Sequence, residues 1–342
     1  MTMPDVTDPE PTVVASIAEL LAGVTHREPL DAADGKSGNH LERVVIDGER
    51  FIVKHQTMGQ DWIMRITGDR VFWPFSLCRA GLYAQVPPSI DHTIVAMAHD
   101  DATSAAPARL AILMRDVGEH LVPEGDDPVS VADNAGLLAD MAALHARFWG
   151  WQDDIGVSTM HERVSAFRPA SIAPELERGD VPVPIRVAHE GWNLLPTVAP
   201  ALHALVAPLH DDPTPLVDAL GRTPTTFLHG DWKMGNLGRH PDGRTILLDW
   251  AYPGAGPACW DLVWYLALNR ARLPETKEAC IERYRLALDG QGIETAGWFD
   301  AQLALCFVAI MVMFAWEKAV GDADELAWWQ DRALAGAAGL TV

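Results

Sequence analysis

Cysteine is scarce in this sequence. There are four in 342 residues, Cys78, Cys259, Cys280 and Cys306, and none forms a C-x-x-C pair. That excludes a disulfide framework or a cysteine zinc site and predicts a reducing, cytoplasmic setting. Positive charge is scarce too. Lys and Arg number 26 against 47 Asp and Glu, for a net charge of −21. Such a surface repels phosphate backbones, so no nucleic-acid partner is expected. It would draw in cationic small molecules, or serve solubility alone. Long apolar stretches are missing as well. The longest, residues 303–316, is too short to span a bilayer, so it reads as a buried core helix and no membrane partner is expected. The N-terminal MTMPDVTDPEPT is acidic and contains proline, unlike a secretory signal. There is no repeat or low-complexity tract, and nothing sets an oligomeric state.

A chain this long fits two domains or one domain in two lobes, and 49% hydrophobic with 21% charged residues is ordinary for a globular protein. The first third reads as strands. Residues 40–47 and 49–55 are β-branched runs meeting at Asp47-Gly48, a strong hairpin signal because both turn positions tolerate positive φ. With that turn, Lys54 faces Leu41. Residues 110–114 read as a buried strand leading into Arg115-Asp116-Val117-Gly118, where the pattern changes. Residues 132–149 carry an apolar stripe at helical spacing that includes His145, read as a packed core residue. Residues 225–228 are strand-like, residues 236–249 a second hairpin, and the chain beyond Cys259 helical. The expected fold is α+β in two lobes: a strand-rich nucleotide-binding lobe over residues 1–114, a connector at 115–119, and a helical lobe over 120–342.

The densest chemistry lies in HGDWKMGN (residues 229–236) and ILLDW (246–250). With Asp242 and Gly243 as a two-residue turn, Asn236 falls directly opposite Asp249. Opposed residues have Cβ atoms about 4.5–5.5 Å apart, so an amide oxygen and a carboxylate could share a hard cation such as Mg2+. Asp231, on the loop entering the hairpin, could orient an acceptor hydroxyl and take its proton. Taken singly, each of these residues is at home in a turn; together at this spacing they point to phosphoryl transfer. The strand carrying Lys54 pairs with one that emerges from Asp34-Gly35-Lys36-Ser37-Gly38-Asn39. Loop amides and a Ser hydroxyl there could contact phosphates, and the ammonium could reach between them; a lone strand-end lysine reaching solvent is the plainer alternative. Gly35-Lys36-Ser37 is not the end of a P-loop, because Leu30 stands where that motif needs Gly and a strand follows where it needs a helix.

HGDWKMGN followed by ILLDW resembles the catalytic loop and metal-binding segment of the aminoglycoside phosphotransferases. These are relatives of the protein kinases, and the group also resembles choline and homoserine kinases. The resemblance implies a protein-kinase-like fold and transfer of the γ-phosphoryl group of ATP (or GTP) to a hydroxyl of a small, sugar-containing molecule, an antibiotic or amino sugar. It implies Asp231 as catalytic base, Asn236 and Asp249 as Mg2+ ligands, and Lys54 on the α- and β-phosphates. Gly35, Ser37 and Gly38 would form the phosphate loop, with the backbone at Asp116 and Val117 on the adenine edge. His229 would brace the loop and Asp261 would support it. One feature departs from the family. The helix after the Lys strand normally supplies a Glu to that Lys, yet residues 71–82 contain no acid; Asp61 and Asp69 are the nearest candidates. Other readings are a nucleotide-binding pseudokinase, a choline or homoserine kinase, or a metal-dependent hydrolase, which would not need Lys54. Glu317, Asp300 and several Trp, Trp264 among them, are further acceptor-side candidates, though helix surface and core packing account for most of them.

Overall fold

The computed structural model describes residues 9–30 and 37–340. Gly35, one of the expected phosphate-loop residues, lies outside them.

The first part of the chain is built on a sheet of β1 (Thr12–Val14), β2 (Val24–Pro29), β3 (His40–Ile46), β4 (Glu49–Gln56), β6 (Ile94–Asp100) and β7 (Arg109–Arg115), with the short β5 (Ile90–Asp91) standing outside it. The order is β1-β6-β7-β4-β3-β2. Asp47 and Gly48 both take positive φ, 51° and 85°, as a two-residue hairpin turn with right-handed strands requires. The register follows, and Leu41 pairs with Lys54. One face of the sheet buries Val44, Val53, Ala96, Ala98, Ala111 and Leu113 against Ile17 and Leu20 of α1 (Ile17–Leu20). After β4 come α2 (Trp62–Thr67) and α3 (Trp73–Arg79); Pro74 sits in the first turn of α3, where its missing N–H costs nothing.

The remainder is mainly helical: α4 (Val131–Arg147), α5 (Met160–Ser165), α6 (Pro169–Leu176), α7 (Val183–Val198), α8 (Pro200–Asp211), α9 (Thr214–Gly221), α10 (Cys259–Leu268), α11 (Lys277–Gly290), α12 (Phe299–Val320) and α13 (Ala323–Gly336). The apolar run at 303–316 belongs to α12. That helix, at 22 residues, is longer than the run and has the length and composition to cross a membrane. Here it is the spine of the helical part: it packs on α7, α10 and α13, and its middle, residues 305–316, is buried on every side.

Two small sheets hold the HGD region. β8 (Thr225–Leu228) pairs with β11 (Gly254–Pro257), and β9 (Leu237–Arg239) with β10 (Thr245–Leu247). The β9–β10 turn corrects the expected register. His240 N–H donates to Arg244 O at 2.9 Å and Gly243 N–H to His240 O at 2.8 Å. The loop is therefore three residues, Pro241-Asp242-Gly243. Pro241 stands at the first inner position of the turn and Gly243 in the left-handed region at φ 94°. Leu247 pairs with Leu237, and Leu248 N–H donates to Asn236 O at 2.8 Å. Asn236 thus faces Leu248, one residue short of Asp249. β5 adds in parallel to β10 (Ile90 beside Thr245) and so docks the first part of the chain onto this hairpin.

Candidate active site

Asp249 is the residue that rescues the geometry. An in-register strand would alternate its side chain to the face away from Leu248. Instead Asp249 has φ 58°, a conformation uncommon outside glycine and concentrated at functional sites. The kink ends β10 and delivers the carboxylate to Lys54, whose Nζ donates to Asp249 Oδ1 at 2.6 Å across 195 positions of sequence. Burial pushes the Asp249 carboxyl up, but the charges of Lys54 and Lys233 outweigh it and hold it below the usual range.

Lys54 therefore has Asp249 as its direct partner, in place of an acid on the following helix. Asp61, the N-cap of α2, stands nearby. It accepts Met64 N–H at 3.1 Å and Asn39 Nδ2 at 2.6 Å. Burial raises its carboxyl, and the Lys54 charge is the largest influence pulling the other way. Asp69 has a different task. Its two oxygens take Val71 N–H and Trp73 N–H, each at 3.0 Å, and so fix the entry to α3. Burial pushes this carboxyl up to about 6, against the pull of those N–H groups. An acid whose folded pKa is raised favours the folded state below its unfolded pKa, near 4, and loses that contribution as pH rises through the folded value. Asp69→Asn should therefore gain on the wild type, by on the order of 2 kcal/mol, between pH 4 and 7. Urea unfolding of both proteins across that range checks it; parallel curves would rule the account out.

Ser37 and Gly38 lie against the start of α2: Trp62 N–H donates to Ser37 O at 3.2 Å, and Ser37 Oγ accepts Asn39 Nδ2 at 3.0 Å. Asn39 thereby links this loop to Asp61 and on to the surroundings of Lys54. At the end of β7 the Asp116 carboxylate accepts Arg43 Nε at 2.8 Å, and Val117 O accepts His120 N–H at 2.9 Å. The Asp116 side chain is thus engaged with the sheet, and the backbone at 116–117 forms the turn away from it.

The HGD loop is held from several directions. His229, fully buried, accepts Asp231 N–H at Nδ1 (3.2 Å) and donates from Nε2 to Leu248 O (3.1 Å). That pattern needs the neutral ring. Burial favours it too, lowering the imidazole pKa against the pull of Asp261, Asp231 and Asp249. Asp261, on the first turn of α10, accepts His229 N–H and Gly230 N–H at 2.9 Å each and His145 Nε2–H at 3.2 Å. Burial would raise its carboxyl, but the His145 hydrogen bond and neighbouring positive groups hold it down. Gly230 has φ 82° and lies against Tyr252 O and the Arg163 guanidinium; a side-chain carbon there would overlap both. Arg163 is itself fully buried, stacked 4.1 Å over the Tyr252 ring, with Nη2 donating to Tyr252 O at 2.8 Å.

Asp231 receives three donors: Trp264 Nε1 at 3.0 Å on Oδ1, and Asn236 Nδ2 at 2.8 Å and Lys233 Nζ at 2.9 Å on Oδ2. The Asn236 amide also donates to Asp231 O at 2.9 Å, leaving its side-chain oxygen for other use. Asp231, Asn236, Asp249 and Lys54 are thus joined into one cluster of short polar contacts.

Residues 77–298 match the family model of the phosphotransferase enzyme family, APH. This chain belongs to that family. The phosphotransferase has the two-lobed α+β fold of the protein-kinase-like small-molecule kinases, and its reaction class is transfer to a hydroxyl acceptor. Solved structures of similar fold include a microcompartment-associated aminopropanol kinase, at 16% identity over 94% of this chain and 93% of that one, TM-score 0.50. Choline kinase LicA from Streptococcus pneumoniae is also similar, at 16% identity over 95% of each chain, TM-score 0.46. So is aminoglycoside phosphotransferase APH(4)-Ia with ADP and hygromycin B, at 15% identity over 95% of this chain and 98% of that one, TM-score 0.46. No curated protein matches the phosphotransferase.

Sequence reasoning missed the parts played by Lys233, Arg163 and Trp264 around the loop. For Trp264 a signal was present: it stands three residues after Asp261, one helical turn on, and so on the same face.

Proposed function

We propose that this chain is an ATP-dependent small-molecule kinase in which Asp231 is the general base, and that its acceptor is a sugar-containing molecule bearing an amine. The observation that carries the reading is the cluster itself: a carboxylate held by three donors beside an Asn–Asp pair, with a lysine already on the Asp. In the transfer, the acceptor oxygen forms a bond to the γ-phosphorus, its proton passes to Asp231, and the bond from that phosphorus to the bridging oxygen breaks to release the diphosphate. Residues 1–114 would bind the nucleotide, with Lys54 toward the α- and β-phosphates, Ser37 and Gly38 covering them and the backbone at Asp116 and Val117 toward the base. Residues 115–119 would connect that lobe to the acceptor lobe beyond.

The donor set fits magnesium. Asn236 Oδ1 and Asp249 Oδ2 are hard oxygens outside the hydrogen bonds described above. Among the described residues no three His, Cys, Asp or Glu side chains converge as a protein cage. Two ligands suit an ion that keeps waters and relies on substrate phosphates. Bound there, it would neutralise charge on the phosphates. Excess EDTA is expected to stop turnover and added Mg2+ to restore it; activity that persists in EDTA would overturn the reading.

Lys54→Ala should raise KM for ATP and lower kcat. Asp61→Asn should shift KM in the same direction but less, because the direct partner of Lys54 is Asp249. Asp69→Asn should leave both constants alone. If Asp69→Asn mimics Lys54→Ala, the assignment of these acids is wrong.

For the acceptor, the support is the net charge of −21, which favours a cationic ligand. Screening aminoglycosides, hexosamines, hexoses, choline, amino alcohols and homoserine for ATP consumption tests it. Turnover confined to choline or homoserine would discard the sugar and leave the kinase.

A further inference from the structure

We propose that Trp264 is a positioning residue of the transfer step: its indole N–H holds the Asp231 carboxylate so that Oδ1 is the atom that takes the acceptor proton. The proposal rests on Asp231 being the base. An ionised carboxylate has about two lone-pair directions on each oxygen. Both on Oδ2 are used, by Asn236 Nδ2 and Lys233 Nζ. Oδ1 accepts from Trp264 Nε1 and keeps one direction open. The acceptor hydroxyl is therefore directed to Oδ1, beside the indole. As its O–H bond breaks, the proton goes to Oδ1, the oxygen bonds to the γ-phosphorus, and the nucleoside diphosphate departs with the electrons of the broken P–O bond.

The indole is suited to the task because it cannot turn. It is almost wholly buried. Trp260, one turn earlier on α10, stacks on it at 6.5 Å and 19°, and Phe314 of α12 packs against it at 5.7 Å. The same face of α10 carries Asp261, which holds the amides of His229 and Gly230. One helix thus fixes the backbone of the loop and, a turn later, the rotation of its carboxylate. Residues that hold a reacting group within a fraction of an ångström and a few tens of degrees act on kcat without touching substrate.

The test has two arms. In protein carrying 15N-tryptophan, the Trp264 indole signal, one of 13, is assigned by its loss in Trp264→Phe. It is expected to show the largest indole shift when Asp231→Ala is compared with wild type. In the second arm, turnover of MgATP with water as acceptor is measured. Trp264→Phe is expected to lower kcat about 10- to 100-fold, the worth of one hydrogen bond to a charged group, with KM for ATP within about twofold. Asp231→Asn is the reference. If Asp231→Asn keeps wild-type turnover, the base assignment fails. If it loses turnover while Trp264→Phe does not, or if the indole signal ignores Asp231→Ala, the positioning proposal falls and the base stands. Should Trp264→Phe fail to fold, Trp264→Tyr supplies the assignment and the spectroscopic arm decides.

Discussion

Asp231→Asn is expected to reduce turnover by about 10²- to 10⁴-fold, the usual worth of a general base, with ATP affinity close to wild type. Asn has nearly the volume of Asp and keeps an oxygen for the Trp264 N–H. The phosphate-side groups, Lys54 and Asp249, pair with each other and not with Asp231. What the variant loses is a group that can accept a proton, and its new amide N–H points at Asn236 Nδ2 and Lys233 Nζ, both donors. Turnover and isothermal nucleotide titration on the same preparation separate chemistry from binding. Wild-type turnover would remove Asp231 from the mechanism; lost nucleotide binding would mean that it acts mainly on the donor side.

Asp261→Ala should fail differently, by losing stability first. It removes the acceptor of three donors in a site with no exposed surface: the amides of His229 and Gly230 and the ring of His145. Stranding a buried donor costs about 1–3 kcal/mol, and a loss of roughly 3–5 kcal/mol is the usual scale when one side of a buried charged network is deleted. Activity should fall with it, because the backbone that carries Asp231 is no longer held. Asp261→Asn, which retains one carbonyl oxygen, should fall between. Urea unfolding together with amide exchange at Gly230 is the measurement. Full stability in Asp261→Ala would show that the loop is held elsewhere, with the Arg163 guanidinium the next place to look.

The sequence disclosed most where the chemistry is local. Asp47-Gly48 determined the register that puts Lys54 opposite Leu41, because a two-residue turn of that composition admits one geometry. The Asp242-Gly243 pair looked the same but is not: Pro241 ahead of it builds a three-residue loop and moves Asn236 by one place. The kink at Asp249 was hidden for the same reason, since a positive φ on Asp leaves no mark in the residues around it. Long-range partners were hidden more thoroughly. The partner of Lys54 is not on the next helix, where the sequence points, but 195 positions away. His145 is the buried core residue its helical stripe predicts, and its ring is also spent on Asp261.

The geometry of α10 constrains how this protein can vary. Two contacts with the loop, Asp261 and Trp264, depend on being one turn apart, and each residue of an α-helix rotates the next by about 100°. Amino-acid replacements at Leu262 and Val263 leave that phase intact. Deleting either one would swing the indole about 100° around the helix and strand Asp231 Oδ1, while inserting one would do the same in the opposite sense. Leu262 and Val263, both fully buried, should therefore accept apolar exchanges that fit the core but no change of length. In a library of single-codon insertions and deletions scored for turnover, every position of 261–264 should be intolerant, whereas a substitution library should be hit hardest at Asp261 and Trp264, whose contacts hold the loop.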